Sequence, residues 1–596
     1  MRRPAPALLA LLALLAVPAS TAQAGKEPTA TTAASEAAPR VRTPIRAWVF
    51  FVDRGRNAQQ IEVELQARKH ELGPRTLQRR AKVRGGALVD VRDLPPDPAY
   101  VAALEARGAT VRVQSRWLNA VSVSADTEAL RALAKLPFVA RIQPVARRSA
   151  TPHERPDAWT PIPASAGPDD YGLAWDQLSL IGAPVLRECG LSGSGVVIAV
   201  QDTGFVLEHP ALQGTTVIAS HDFINDDDNV GIEDGDPAEQ PLHGTMVLST
   251  ITGTDPGLFS GVAPGVTVIL SKTEVVPTEE PYEEDLYVAG LEWSESMGAD
   301  IFTSSLGYMD WYEYADYDGA TAVTTLAIEA AVANGLIAFV PMGNSGPEPA
   351  TLGAPADAAG AITLGATSVD GTLAPFSSRG PTADGRIKPD VSAPGWQVIT
   401  VEPMSGQGYI AVNGTSFSTP IAAGVAALLL EADPTLTPQQ MQELLRATAS
   451  QADAPDNDLG YGIIDAVAAV GAACSCADAD GDNSYDQACG GNDCNDQDPA
   501  IHPWAFEICG NMIDDDCDTL VDELDPDCSP DDTGTDTGSD STGGDEVDTT
   551  AESSGDEVSA DSDDSGCACS LGEDPRAPFG FMGLLGLLAL LKRRRV

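Results

Sequence analysis

Between residues 172 and 470 the chain repeats short runs that are almost wholly apolar: GVVIAV (195–200), GVTVILS (265–271), ADIFTSS (299–305), GLIAFVP (335–341) and AITLGAT (361–367). Strands that alternate apolar with polar positions cover one face only, whereas continuous runs of this length suit strands buried on both faces. Longer stretches with helical spacing, VTTLAIEAAVANG (323–335) and TPIAAGVAALLLEA (419–432), lie between or after them. The pattern predicts an α/β fold, a parallel sheet with helices on both faces. A smaller unit precedes it. Residues 45–147 mix strand-like runs (IRAWVFFVD, ATVRVQS, NAVSVSA, FVARIQPV) with helix-like ones (PAYVAALEARG, TEALRALAKLP), which predicts a small α+β domain.

The ends of the chain read differently. Arg2 and Arg3, the apolar PALLALLALLAVP and the small-x-small Ala22-Gln23-Ala24 predict a signal peptide over residues 1–24, so the protein is expected to be secreted or held at the cell surface. Residues 474–528 are rich in Cys and Asp. Residues 529–566 hold almost nothing to bury, as expected of an acidic linker. Residues 567–596 join Cys567 and Cys569 to the 15-residue apolar stretch APFGFMGLLGLLALL and a KRRR cluster. That stretch is short of the roughly 20 residues of a comfortable span, so it predicts a sorting signal or a transient or anchoring membrane contact.

Charge and cysteine content sharpen this division. With 36 Lys+Arg against 87 Asp+Glu the net charge is −51, which excludes nucleic acid as a partner; much of it lies beyond residue 473. Nine of the ten cysteines also lie there, Cys189 standing alone before them, and export permits disulfides. Seven of the nine cluster over 474–528, an odd number, so at least one stays free or pairs outside the cluster.

Chemistry concentrates at the ends of the apolar runs. Asp202 follows GVVIAVQ in QDTGF, where a carboxylate at the carboxyl edge of a parallel sheet points into the ligand crevice. His243 stands in LHGTMVLSTITG and Ser416 in NGTSFSTPIAAGVAALLL, just ahead of a long apolar helix. Singly, each reads as readily as a structural residue: a turn or cap Asp, a core His, an N-cap Ser. Together, in the order Asp, His, Ser, they supply the nucleophile, base and orienting carboxylate of acyl transfer.

In this set of motifs the chain resembles the subtilisin-like serine peptidases. QDTGF, HGTMV and NGTSFSTP match the family's three signature boxes; SSLG (304–307) and MGNSG (342–346) match its substrate-strand and oxyanion boxes. The resemblance implies a peptidase domain over 165–472. Asp202 would orient His243, His243 would act as general base and then acid, Ser416 as nucleophile, and the Asn344 amide would donate to the oxyanion. It further implies Ser305, Leu306 and Gly307 as the substrate strand and Gly353, in LGAP, as the floor of the first specificity pocket. The protein is thus expected to be a serine endopeptidase acting on proteins or peptides, with no cofactor for catalysis. A segment without acidic residues around Gly353 predicts cleavage after large apolar side chains. Phe417-Ser418 and Ile421 stand where Met-Ala and His are usual, and Met342 where a small residue is. The pro-region of the family, an intramolecular chaperone and inhibitor, is similar to residues 45–147, which implies synthesis as a zymogen. A catalytically silent binding module of the same fold is the alternative; it sits poorly with a full set of reacting groups.

The acidic module is similar to a metal-binding repeat of bacterial surface proteins, and the tail to the C-terminal sorting tails of myxobacterial surface proteins. Asp478, Asp480 and Asp482 alternate, as do Asp514, Asp516 and Asp518, followed by Asp522 and Glu523. Oxygen-rich alternation of this kind predicts calcium ligands, although Asn483 and Cys489 occupy the positions where an EF-hand loop needs Gly and Glu; a solvated acidic disulfide knot and a site for a softer metal are the alternatives.

Overall fold

Strand Val197–Asp202 is buried at every position because successive side chains enter two different cores: Ile198 and Val200 one, Val197 and Ala199 the other. The period of two makes this inevitable once helices cover both faces of a sheet. The computed structural model describes residues 44–146, 171–276 and 283–471 except 310 and 405, and within 494–521 all but 496, 504, 506, 518 and 519. Expectations for the signal peptide, for residues 529–566 and 567–596, and for Asp478, Asp480, Asp482, Asp518, Asp522 and Glu523 lie outside the described residues.

The central sheet has seven strands in the order Val391–Pro394, Ile362–Thr367, Ile337–Pro341, Ile301–Ser304, Val197–Asp202, Thr267–Lys272 and Thr216–Asp222. All neighbours are parallel. Helices Leu242–Thr252 and Thr415–Ala432 supply the core on one face, and helices Glu284–Ser296 and Val323–Ala333 the core on the other. The chain leaves Val197–Asp202 toward one edge and resumes with Ile301–Ser304 on the other side, so a topological switch point lies between these two strands. Crevices outside the carboxyl ends of strands at such a point are where ligands bind in open α/β sheets.

The N-terminal unit is a four-stranded antiparallel sheet in the order Thr110–Ser115, Ala120–Ala125, Ile45–Phe51, Val139–Pro144. Strand Ile45–Phe51 shows why it docks. Val49 and Phe51 pack with Val101, Leu104 and Leu133 inside the unit, while Trp48 and Phe50 join the core that holds Tyr287 and Leu291 of helix Glu284–Ser296. Further along, the acidic module has a Cys494–Cys517 disulfide. Cys189 is itself disulfide-bonded, which gives the odd number of cysteines after residue 473 its complement.

Candidate active site

Asp202 ends its strand fully buried, and its Oδ1 accepts from the Thr203 amide at 2.7 Å and meets His243 Nδ1 at 2.7 Å. An ionised carboxylate only accepts, so the proton of this bond sits on Nδ1 and Nε2 carries the lone pair a general base needs. Gly244 makes the approach possible. A Cβ there would lie 2.3 Å from the Gly204 carbonyl oxygen and 3.0 Å from Asp202 Cβ, so the HG pair is a packing demand of helix Leu242–Thr252 against the strand end. The imidazole lies 5.9 Å, ring to ring, from Phe417, the residue after Ser416.

Ser416 is the second residue of helix Thr415–Ala432, buried to 2% exposure, where the helix dipole favours negative charge. Pro420 has no N–H to give the Ser416 carbonyl four residues back, and the Ser305 hydroxyl donates to that carbonyl instead, at 2.6 Å. The sequence marks Ser305 only as an expected part of the substrate strand; its hydrogen bond to the first turn of helix Thr415–Ala432 appears in the structure. Asn344 Oδ1 accepts both the Thr415 amide, at 2.9 Å, and the Thr415 hydroxyl, at 3.0 Å. With the carbonyl oxygen so engaged, the side-chain nitrogen is the end of the amide turned to donation.

One cleft is lined by Ser305, Leu306, Gly307, Asn344, Gly353 and Ser416, six residues picked from the sequence. Met309 and Met342 line it as well. A Cβ on Gly353 would lie 2.8 Å from Met309 Cγ, so a thioether side chain rests against the glycine. Tyr308 and Ala354 exchange backbone hydrogen bonds at 2.8 and 3.3 Å, which hangs the Met309 segment over that position.

Two acidic groups lie elsewhere. Asp222, Asp227 and Glu233 bring carboxylates together, but the Lys272 ammonium stands 2.9 Å from Asp222 and 2.8 Å from Asp236, an internal cation for that loop. In the C-terminal module Asp514 and Asp516 converge with Glu507, a residue the sequence reading passed over because it lies outside the Asp alternation.

Comparison with known proteins fits this architecture. Residues 193–462 match the model of the subtilase family (Peptidase S8), and residues 46–157 the Peptidase S8 propeptide domain, Bacteroidota. Serine protease AprX of Bacillus subtilis (strain 168) is 33% identical over 306 residues, 46% of this chain and 66% of AprX. Subtilisin E of the same organism is 31% identical over 347 residues, 58% of this chain and 79% of subtilisin E. The crystal structure of fervidolysin from Fervidobacterium pennivorans, a keratinolytic enzyme related to subtilisin, shares the fold with a TM-score of 0.51 at 23% identity, covering 73% of this chain and 62% of that one. The chain belongs to the subtilase family, with a separate N-terminal propeptide domain.

Residues 493–523 match the family described as "Putative metal-binding motif", whose model is a copper-binding one, Cu-binding MopE. This overturns the expectation of calcium. Calcium takes six to eight oxygens, and the described residues of the module bring three carboxylates within 4.8 Å of one another. Cys494 and Cys517 are tied in their disulfide and offer no thiolate; among the described residues of the module the side chains brought together are the carboxylates of Glu507, Asp514 and Asp516.

Proposed function

We propose that the chain is an exported serine endopeptidase, made as a zymogen, that hydrolyses peptide bonds in proteins or peptides through Asp202, His243 and Ser416. In this reading His243 Nε2 takes the Ser416 proton as Oγ attacks the scissile carbonyl, and Asp202 stabilises the imidazolium that forms. The tetrahedral oxyanion is met by the Asn344 amide and the N-terminal turn of the nucleophile helix. His243 then returns the proton to the leaving amine, and water repeats the cycle on the acyl-enzyme. Substrate lies along Ser305 to Gly307, with the side chain before the cut toward Gly353. Residues 45–147 serve as the inhibitor of the same chain until they are removed, and residues 567–596 direct display or release at the cell surface.

The observation that supports this reading best is the buried 2.7 Å contact between Asp202 and His243, at the switch point of the sheet, beside a cleft that Ser416 and Asn344 share. A serine-directed fluorophosphonate tests it. The matured wild-type chain should be labelled and Ser416→Ala should not; equal labelling of both would refute the assignment of the nucleophile.

A further inference from the structure

Between Gly307 and helix Val323–Ala333 the chain carries Tyr308, Tyr312 and Tyr317, all buried. A buried tyrosine hydroxyl needs a partner, and that partner fixes where the backbone can lie. Tyr312 is 7% exposed, and its hydroxyl is used in both senses: it donates to Glu284 Oε1 at 2.6 Å and accepts the Val323 amide at 3.0 Å. Val323 opens helix Val323–Ala333, and Ala322 before it makes no side-chain cap. The Tyr312 hydroxyl supplies the missing acceptor from 11 residues upstream.

Through its backbone the same residue reaches the cleft. The Tyr312 amide donates to the Met309 carbonyl at 2.8 Å, and the Met309 side chain rests against Gly353. An unbranched thioether adapts to whatever space its backbone faces, so its place against a pocket floor is only as definite as the backbone that carries it. Two ties bind that backbone to the floor segment: Tyr308 pairs with Ala354, and the Gly319 amide donates to Asp357 Oδ2 at 2.8 Å. The Tyr312 hydroxyl adds a tie of another kind, to helices Glu284–Ser296 and Val323–Ala333 on one face of the sheet.

We propose that Tyr312 is a specificity-positioning residue: its hydroxyl, held between the Glu284 carboxylate and the Val323 amide, fixes Met309 against Gly353, so that the first specificity pocket ends short and takes side chains the size of Leu or Met in preference to Phe. The role of the pocket rests on the peptidase reading above; the placement of Met309 by Tyr312 does not.

The test compares kcat/KM for matched peptide substrates with Phe or Leu before the cut, on matured enzyme. A ratio of two substrates on one preparation is unaffected by how much of a variant is active. Tyr312→Phe should raise the Phe to Leu ratio roughly 3-fold or more, up to the value that Met309→Ala gives, and should change it by less than about 1.5-fold once Met309 is Ala, because the hydroxyl then has no side chain left to place. Glu284→Leu, which removes the acceptor of the same hydroxyl, should act as Tyr312→Phe does, whereas Glu284→Gln, which keeps an oxygen there, should hold the wild-type ratio. An unchanged ratio in Tyr312→Phe or Glu284→Leu, or the same shift with and without Met309, overturns the proposal. If the wild type cleaves neither substrate, the peptidase reading fails, and methyl-labelled methionine NMR of the full chain with Ser416→Ala decides the placement by itself. The Met309 methyl signal, identified by its loss in Met309→Ala, should move or broaden in Tyr312→Phe; a signal that stays where it was overturns the proposal as well.

Discussion

Glu284 should make retention of the pro-region depend on pH. Its carboxylate is fully buried at the docked face, where it accepts from the Ala146 amide of the pro-region at 2.9 Å and from the Tyr312 hydroxyl at 2.6 Å. Burial outweighs these bonds and pushes its pKa up from 4.5 to about 7, with the neighbouring Asp285 charge adding to the rise. When the pro-region leaves, Ala146 and Trp48 uncover the group and it returns toward its ordinary value. A raised acid favours the complex while protonated, so its contribution is complete below about pH 4.5, falls tenfold per pH unit above that, and levels off above about pH 7. The gap of about 2.5 units corresponds to about 300-fold in affinity, or ~3.4 kcal/mol. Glu292, also raised by burial, acts in the same sense, while Glu295, held down by Arg79 and Arg80 against burial, weakens the complex only as pH falls below its ordinary 4.5. The dissociation constant of the cut pro-region, measured by sedimentation or gel filtration of the Ser416→Ala chain from about pH 5 to 8, should rise steeply and then flatten. Glu284→Gln should remove most of the slope. A constant affinity across that range, or the same slope in Glu284→Gln, would show that the buried carboxyl does not control docking.

The placement of the carboxyl-edge residues was legible because each residue expected to react sits in a motif that the fold itself requires. Asp202 and His243 can meet only if residue 244 has no side chain, and the nucleophile helix begins with Gly414 and Thr415, whose amide and hydroxyl orient Asn344. Short-range demands of this kind leave a fixed spelling. The docking face left none. Helix Glu284–Ser296, EDLYVAGLEWSES, carries four carboxylates, and helix Pro74–Val83, PRTLQRRAKV, four cationic side chains. Glu292 and Glu295 of the one and Arg79 and Arg80 of the other are buried because Glu292 and Glu295 find their partners in Ser115, Arg116, Arg79 and Arg80, about 180 to 220 residues earlier in the chain. Neither sequence alone carries the fact that the other will neutralise it. The same holds for Met309. Gly353 is expected as a floor from its motif, but the thioether against it is placed by the Tyr308–Ala354 backbone bridge, a contact across 46 positions.

Ser416→Ala should abolish peptide hydrolysis and also removal of the pro-region, because self-cleavage needs the same nucleophile; mass spectrometry showing normal maturation in a protease-free host would rule out self-processing. Asn344→Ala should leave KM nearly unchanged and lower kcat by roughly 10²–10³, the usual loss of one oxyanion donor, and an unchanged kcat in steady-state assays would refute its role. Met309→Ala should widen the first specificity pocket. The Met309 side chain meets the space a Cβ on Gly353 would fill, so in the wild type the apolar slot is shallower than a glycine floor alone would make it, favouring Leu or Met over Phe before the cut. Truncation frees room for about two methylene-sized groups of a substrate ring, worth about 0.8 kcal/mol each when buried, so the Phe to Leu ratio of kcat/KM should rise roughly 10-fold. Matched peptide substrates measure it: a ratio that stays at the wild-type value would mean that the substrate side chain never reaches Met309, and that the pocket floor lies elsewhere.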